Sequence, residues 1–179
     1  EWINLGGGHH ITRSDYKLNK LINFLIKLKK IKNCQIILEP GEAVGFQCGV
    51  LVGEILDYIH GDNYKIPNIA ITDISPVCHM PDVIEAPYRP FLMNEPYKGI
   101  NVILAGPSCL AGDIIGEYNF IEQPKIGDKV VFLDQAHYTL VKTNFFNGIN
   151  HPEVVLWNSD NNDFKVIKTF DFNDFEIRN

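Results

Sequence analysis

This sequence lacks any apolar run long enough for a membrane-spanning helix, so no membrane segment is expected. It also lacks an excess of positive charge: 16 Lys and Arg stand against 22 Asp and Glu, a formal net charge of −6. Nucleic-acid binders normally present a basic face, so no nucleic-acid partner is expected. Cysteine is sparse. Cys34, Cys48, Cys78 and Cys109 are scattered with no C-x-x-C pair, which favours reduced thiols over a disulfide framework or a zinc site. Cys34 and Cys48 are expected as small buried hydrophobes. The opening residues show no signal-peptide pattern, and a cytoplasmic location is the resulting expectation. No H-E-x-x-H pair, G-x-S-x-G elbow or Walker loop occurs, and the spacing of His9, His10, Cys78 and His79 matches no standard zinc pattern. No metal is expected.

What is present describes an ordinary globular chain of 179 residues, 45% apolar and 21% charged, long enough for one or two compact units. The chain opens on Glu1-Trp2-Ile3-Asn4-Leu5 without an initiator methionine and already inside a strand, which leads to the expectation of a fragment or a cleavage product. Trp2–Leu5 runs into the turn Gly6-Gly7-Gly8. Leu18, Leu21, Ile22, Leu25 and Leu28 then recur at helical spacing, with Ser14 or Asp15 as the expected cap and Asn33 as the end. Gln35–Leu38 reads as the next buried strand, stopped by Glu39-Pro40-Gly41. Strand, glycine turn, helix and strand form a βαβ unit, which implies a parallel sheet or an α/β barrel.

Beyond Gly45 no long helical period persists. Short β-rich runs cover 48–59, 68–72, 101–105, 129–133, 154–157 and 164–170. They are punctuated by Gly61-Asp62-Asn63, Gly127-Asp128 and Ser159-Asp160-Asn161-Asn162. The reading is a mostly antiparallel β domain or barrel, with residues 1–45 and 46–179 as the two parts.

Several residues could carry chemistry. Glycines between a strand and a helix let backbone N–H groups approach an anion, so Gly6, Gly7 and Gly8 form either a phosphate cradle or simply a tight turn. Glu39 lies at the C-terminal end of a strand, where functional side chains gather in α/β barrels and where caps and surface charges are also common. Gly106-Pro107-Ser108-Cys109 places a thiol, and then Asp113, in a turn that is either reactive or structural. Tyr138 is either a half-buried anchor or a functional hydroxyl.

In order and spacing, Gly6-Gly7-Gly8, Glu39-Pro40-Gly41, Gly106-Pro107-Ser108-Cys109 with Asp113, and Tyr138 ahead of Phe146-Asn147-Gly148 resemble the fold-type III pyridoxal-phosphate decarboxylases. That alanine-racemase-like group includes the ornithine and diaminopimelate decarboxylases. The wording Asn4–His10, Glu39–Ala43, Cys78–Val83 and Cys109–Asp113 is closer still to the carboxynorspermidine (carboxyspermidine) decarboxylases. The resemblance implies α/β plus β architecture: the last part of an alanine-racemase-like (β/α) barrel, then a mostly antiparallel β domain.

It also implies the cofactor, pyridoxal 5'-phosphate, and roles for residues. Gly6, Gly7 and Gly8 would hold the phosphate by backbone N–H groups, with Tyr138 adding a hydroxyl. Glu39 would pair with the pyridine nitrogen, and Cys109 would enter from the partner subunit of a homodimer as a proton donor. Asp113, Glu42, Arg89, His79 and Asp82 would lie on the substrate side. The Schiff-base lysine lies before the glycine loop in this family and matches no motif here, so an N-terminal half is the expected partner.

Departures bear on the substrate. Relatives usually carry arginine where this chain has Glu42, and an anion there favours a cationic polyamine tail. Cys109-Leu110 replaces the Cys-Glu or Cys-Asp of the common relatives, and Arg89-Pro90-Phe91-Leu92-Met93 has methionine where diaminopimelate enzymes have tyrosine. The implied activity is decarboxylation in polyamine (spermidine) biosynthesis. The alternatives are diaminopimelate, ornithine or arginine decarboxylation, or a non-catalytic decarboxylase-like binding protein.

Overall fold

A computed structural model describes residues 1–62 and 66–178. Asn63, expected in a turn, lies outside the described residues. The chain separates into two compact units, Glu1–Gly49 and Val50–Asn179.

The first unit is built on the βαβ pattern. Strand β1 (Trp2–Asn4) and strand β2 (Gln35–Ile37) pair in parallel, with Asn4 opposite Ile37. Between them runs helix α1 (Leu18–Lys32), which ends at Asn33 in the left-handed conformation (φ 46°), where its N–H donates to Lys29 O. The expected cap is corrected: the N-cap is Lys17, with no side-chain cap bond. Asp15 is held instead by Arg13, whose Nε and Nη2 donate to its two oxygens at 3.0 Å each, and that pairing lowers its pKa. Of the apolar stripe, Leu21, Leu25 and Leu28 are half-buried, while Leu18 and Ile22 are exposed. Glu39-Pro40 leads into a short helix, α2 (Gly41–Gly45). Cys34 is buried as expected; Cys48 is not, and lies exposed beside Phe46 O.

The second unit carries a five-stranded sheet of β3 (Val50–Ile59), β4 (Asn68–Thr72), β5 (Ile100–Ala105), β6 (Ile114–Phe120) and β7 (Lys129–Leu133), in the order β6-β5-β4-β3-β7. Three pairings are antiparallel and β4–β5 is parallel. The connection between β4 and β5 carries helices α3 (Pro76–His79) and α4 (Asp82–Glu85). Alternation along the strands sends Leu51, Ile55, Ala70, Val102, Leu104, Ile115, Val130 and Phe132 into one core, with Ile74, Met80 and Val83 from the connection. Tyr118 is fully buried there, edge-on to Phe132, and its hydroxyl donates to Pro90 O at 2.9 Å. Burying the phenol without that acceptor would cost a hydrogen bond's desolvation.

After β7 come helix α5 (Tyr138–Lys142), a 3-10 turn at Phe146–Gly148, and the antiparallel pair β8 (Val154–Asn158) and β9 (Asp163–Lys168). Helix α6 (Phe172–Arg178) follows. The turn at 159–162 falls between β8 and β9, with Asn162 left-handed as turn chemistry allows.

Candidate active site

In the first unit the glycine loop and the end of β2 are tied together. Gly6 and Gly8 have φ of +70° and +77°, open to glycine at no cost, and nothing lies within 4 Å of where their Cβ atoms would stand. A Cβ on Gly7 would meet Glu39 O at 3.0 Å. The main chain crosses between the segments: Leu5 N–H donates to Ile37 O at 3.0 Å and Glu39 N–H to Gly6 O at 2.8 Å. Asn4 closes the arrangement. Its Oδ1 accepts from Gly6 N–H at 2.8 Å and its Nδ2 donates to Glu39 Oε1 at 2.6 Å. The loop and the carboxylate therefore sit side by side at the C-terminal ends of two parallel strands. This is the rim where α/β folds gather ligand groups.

Those residues suit pyridoxal phosphate in kind. The loop turns through left-handed Gly6 and Gly8, and the N–H groups of Gly7 and Gly8 suit a phosphate, that of Gly6 being taken by Asn4. Glu39, one oxygen held by Asn4, offers the other to a protonated ring nitrogen. Glu42, on α2, lies 3.5 Å from His10 Nε2.

In the second unit the Cys109 loop is held by a buried carboxylate. Asp113 is 3% exposed. Its Oδ1 accepts from Ser75 Oγ at 2.8 Å and Val77 N–H at 3.1 Å, and its Oδ2 from Ser108 N–H at 3.1 Å. Gly106 is required at this spot, because a Cβ would stand 2.2 Å from Asp113 Oδ2. Cys109 is exposed, and its N–H donates to Asn147 Oδ1 at 3.0 Å. The segment beyond α5 also laces onto α3. Asn144 N–H donates to Cys78 O at 3.0 Å, Asn144 Nδ2 to Val77 O at 2.7 Å, and the Cys78 thiol to Phe146 O at 3.4 Å. Burial raises the Cys78 pKa, so this thiol stays protonated and inert.

Several residues expected on the substrate side are committed to contacts inside this unit. His79 is 1% exposed; Nδ1 accepts from Ser75 N–H at 3.1 Å and Nε2 donates to Asn150 O at 2.9 Å, and burial lowers its pKa. Asp82 and Glu85 hold Lys142 Nζ at 2.5 and 2.7 Å, which raises the lysine pKa. Arg89 donates from Nε to Glu117 O at 2.7 Å, pairs with Glu95 and covers the Tyr118 ring at 3.9 Å. For His79, the one buried member, these partners are required; the others are surface ion pairs and hydrogen bonds. Tyr138, by contrast, is 58% exposed at the start of α5. The turn before it is pinned by buried Gln135 and Thr139, whose side chains bond at 2.8 Å. Among the described residues no group of three His, Cys, Asp or Glu is placed to hold a metal, and no helix is long and apolar enough to cross a membrane.

Sequence reading missed the holding residues Asn4, Ser75, Asn144 and Asn150. Only Ser75 left a local signal: it caps α3 with Pro76 at the first helical position, a recognisable start pattern.

Comparison with known proteins shows the family of the chain. A carboxynorspermidine/carboxyspermidine decarboxylase of Campylobacter jejuni is 42% identical over 193 residues, covering 100% of this chain and 49% of the relative. A carboxyaminopropylagmatine decarboxylase of Synechocystis is 37% identical over 182 residues, covering 99% of this chain and 46% of the relative. The crystal structure of carboxynorspermidine decarboxylase complexed with norspermidine from Campylobacter jejuni superposes with a TM-score of 0.85 at 41% identity, covering 99% of this chain and 51% of that one. The chain thus spans about half the length of the curated relatives it matches. The family model for the pyridoxal-dependent decarboxylase C-terminal sheet domain matches residues 16–136, and the chain belongs to that family.

Proposed function

We propose that this chain is the C-terminal half of a pyridoxal-phosphate-dependent decarboxylase that converts carboxynorspermidine or carboxyspermidine to norspermidine or spermidine and carbon dioxide. The observation that carries the reading is the joining of Gly6–Gly8 to Glu39 at the ends of β1 and β2, in a chain 42% identical to such an enzyme along its whole length. Pyridoxal phosphate supplies the electron sink for the pair left when carbon dioxide departs.

The chain's own residues serve that sink. The Gly6–Gly8 loop would hold the phosphate, Gly7 and Gly8 by their N–H groups and Gly6 by the left-handed turn that Asn4 fastens, and the family resemblance gives the Tyr138 hydroxyl a contact to the same phosphate. Glu39 would pair with the ring nitrogen and keep it protonated. Cys109 Sγ, contributed by a second copy of the chain, would serve as the proton donor that replaces the departing carboxylate. Glu42 favours a cationic polyamine tail. Asp113 acts by holding the Cys109 loop, His79 by holding Ser75 that bonds Asp113, and Asp82 by holding Lys142 on α5, while Arg89 braces the sheet at Tyr118.

The same reading makes unit Glu1–Gly49 the end of the (β/α) barrel and the rest the β domain. An N-terminal half brings the cofactor-bearing lysine, and the working enzyme is a cytoplasmic homodimer. The 37% identity to a carboxyaminopropylagmatine decarboxylase supports one second substrate, a carboxylated agmatine derivative with an equally cationic tail.

The test is turnover by the full-length enzyme with pyridoxal phosphate, offered carboxynorspermidine, carboxyspermidine, carboxyaminopropylagmatine and diaminopimelate side by side. Preference for either of the first two upholds the proposal and preference for the third selects the second reading. Preference for diaminopimelate, or no carbon dioxide release from any, overturns both.

A further inference from the structure

We infer that Asn4 is a positioning residue for Glu39: its side-chain amide fixes how the carboxylate faces the cofactor's ring nitrogen and couples that carboxylate to the phosphate-binding loop. The inference rests on the cofactor reading above and assigns a role to a residue outside it.

The geometry leaves the amide one orientation. Gly6 N–H can only donate, so the Asn4 atom 2.8 Å from it must be the oxygen. The nitrogen is then left for Glu39 Oε1, 2.6 Å away, and a carboxylate oxygen is the acceptor it needs. Asn4 is the last residue of β1, and its register partner Ile37 is the last residue of β2. The side chain thus bridges two strand ends whose main chains are already bonded through Glu39 N–H and Gly6 O.

The physical consequence is twofold. Donation to Oε1 stops the carboxylate from rotating about its last torsion, which is otherwise broad. It therefore leaves Oε2 to meet the ring N–H in one direction. Because the same amide accepts from Gly6, the loop that holds one end of the flat cofactor and the carboxylate that meets the other are set at a fixed separation. Asparagine suits both tasks at this length: glutamine would overshoot, and aspartate would keep the bond to Gly6 while setting an anionic oxygen against Glu39.

Aspartate is therefore the informative substitution, because it separates a loop-holding role from a carboxylate-holding one. In the full-length enzyme, Asn4→Asp is expected to lower kcat about tenfold to a hundredfold with little change in KM, the usual range for a residue that orients a liganding group. It is also expected to alter the pH dependence of the bound cofactor's visible absorbance and to weaken pyridoxal phosphate binding measured by equilibrium dialysis. In a Glu39→Gln background the same change should cost less than about twofold, because the amide introduced by that substitution can donate to the new carboxylate and the interaction under test is gone.

A wild-type spectrum, affinity and kcat in Asn4→Asp would overturn the inference while leaving the decarboxylase reading intact. Equal losses in both backgrounds would overturn it too, since they would place the effect in the loop. If the unaltered enzyme takes up no pyridoxal phosphate, both the reading and the inference fall.

Discussion

Asn147 Oδ1 accepts the backbone N–H of Cys109 at 3.0 Å, across 38 residues of chain. Asn147 itself sits at φ 57°, a left-handed position that asparagine tolerates better than most residues. The thiol loop is thereby fastened at one end by Asp113 and near its tip by this side chain, while the thiol stays exposed.

That fastening predicts an order among substitutions at one position. Asn147→Gly keeps the left-handed backbone and loses the hydrogen bond, costing about 1 kcal/mol. Asn147→Ala loses the bond and also strains the backbone, so it should be the less stable of the two. Urea denaturation of both variants checks this; an alanine variant as stable as glycine would contradict it.

Asp113 is the keystone of the loop. Asp113→Asn exchanges one acceptor oxygen for an amide NH2, which must then face either Val77 N–H, next to Ser75 Oγ, or Ser108 N–H, and both of these N–H groups can only donate. A buried donor left without an acceptor costs about 1–3 kcal/mol. The expected result is a lower denaturation midpoint together with faster modification of Cys109 by a thiol reagent. Loss of neither would show that the loop does not depend on this carboxylate.

His79 makes stability depend on pH. Neutral imidazole satisfies both of its contacts, accepting from Ser75 N–H and donating to Asn150 O, whereas imidazolium would set a proton against the Ser75 N–H. Burial holds its folded-state pKa below the ordinary 6.5, so the unfolded chain takes up the proton first. Stability is whole above about pH 6.5 and falls as the pH drops below it toward the lowered folded value. His151 is shifted the same way by burial and adds to the decline. Thermal melts at falling pH should show it, and His79→Gln should flatten the slope without abolishing it.

Chemistry at the proposed site divides between two residues. Cys109→Ala is expected to reduce kcat by about a hundredfold or more while pyridoxal phosphate still binds, as fits a lost proton donor. Glu39→Gln should reduce kcat and also change the cofactor's absorbance. Stopped-flow turnover with a dialysis measurement of cofactor binding separates the two. Unchanged turnover in Glu39→Gln would refute its assignment, and cofactor loss in Cys109→Ala would refute the other.

Legibility of the fold followed the range of the forces involved. The βαβ unit could be read because helical spacing, a left-handed asparagine stop and apolar strand runs are local patterns, and β1 and β2 do pair in parallel. Strands at 68–72 and 129–133 could be read for the same reason. β6 was not legible. A register shift between Leu104 and Ala105 separates its buried positions Ile115 and Tyr118 by three residues, so the period of two that marks a strand is broken. Helices of four or five residues are likewise too short to show a period.

The sequence by itself determined the order of chemical groups along the chain: glycines after a strand, a carboxylate at the next strand end, a cysteine in a turn, and a tyrosine beyond the last strand of the sheet. Backbone constraints and side-chain chemistry act over a few residues, and such features show in a one-dimensional pattern. Only the tertiary structure decided which residues hold those groups in place. Asn4 meets Glu39 across 35 residues, Ser75 meets Asp113 across 38, and His79 meets Asn150 across 71. Partners so distant leave no spacing to read. For Ser75–Asp113 and His79–Asn150 burial settles the pairing, because enclosed donors and acceptors must find a match in space; for the exposed Asn4–Glu39 pair it is the parallel register that brings the two strand ends together.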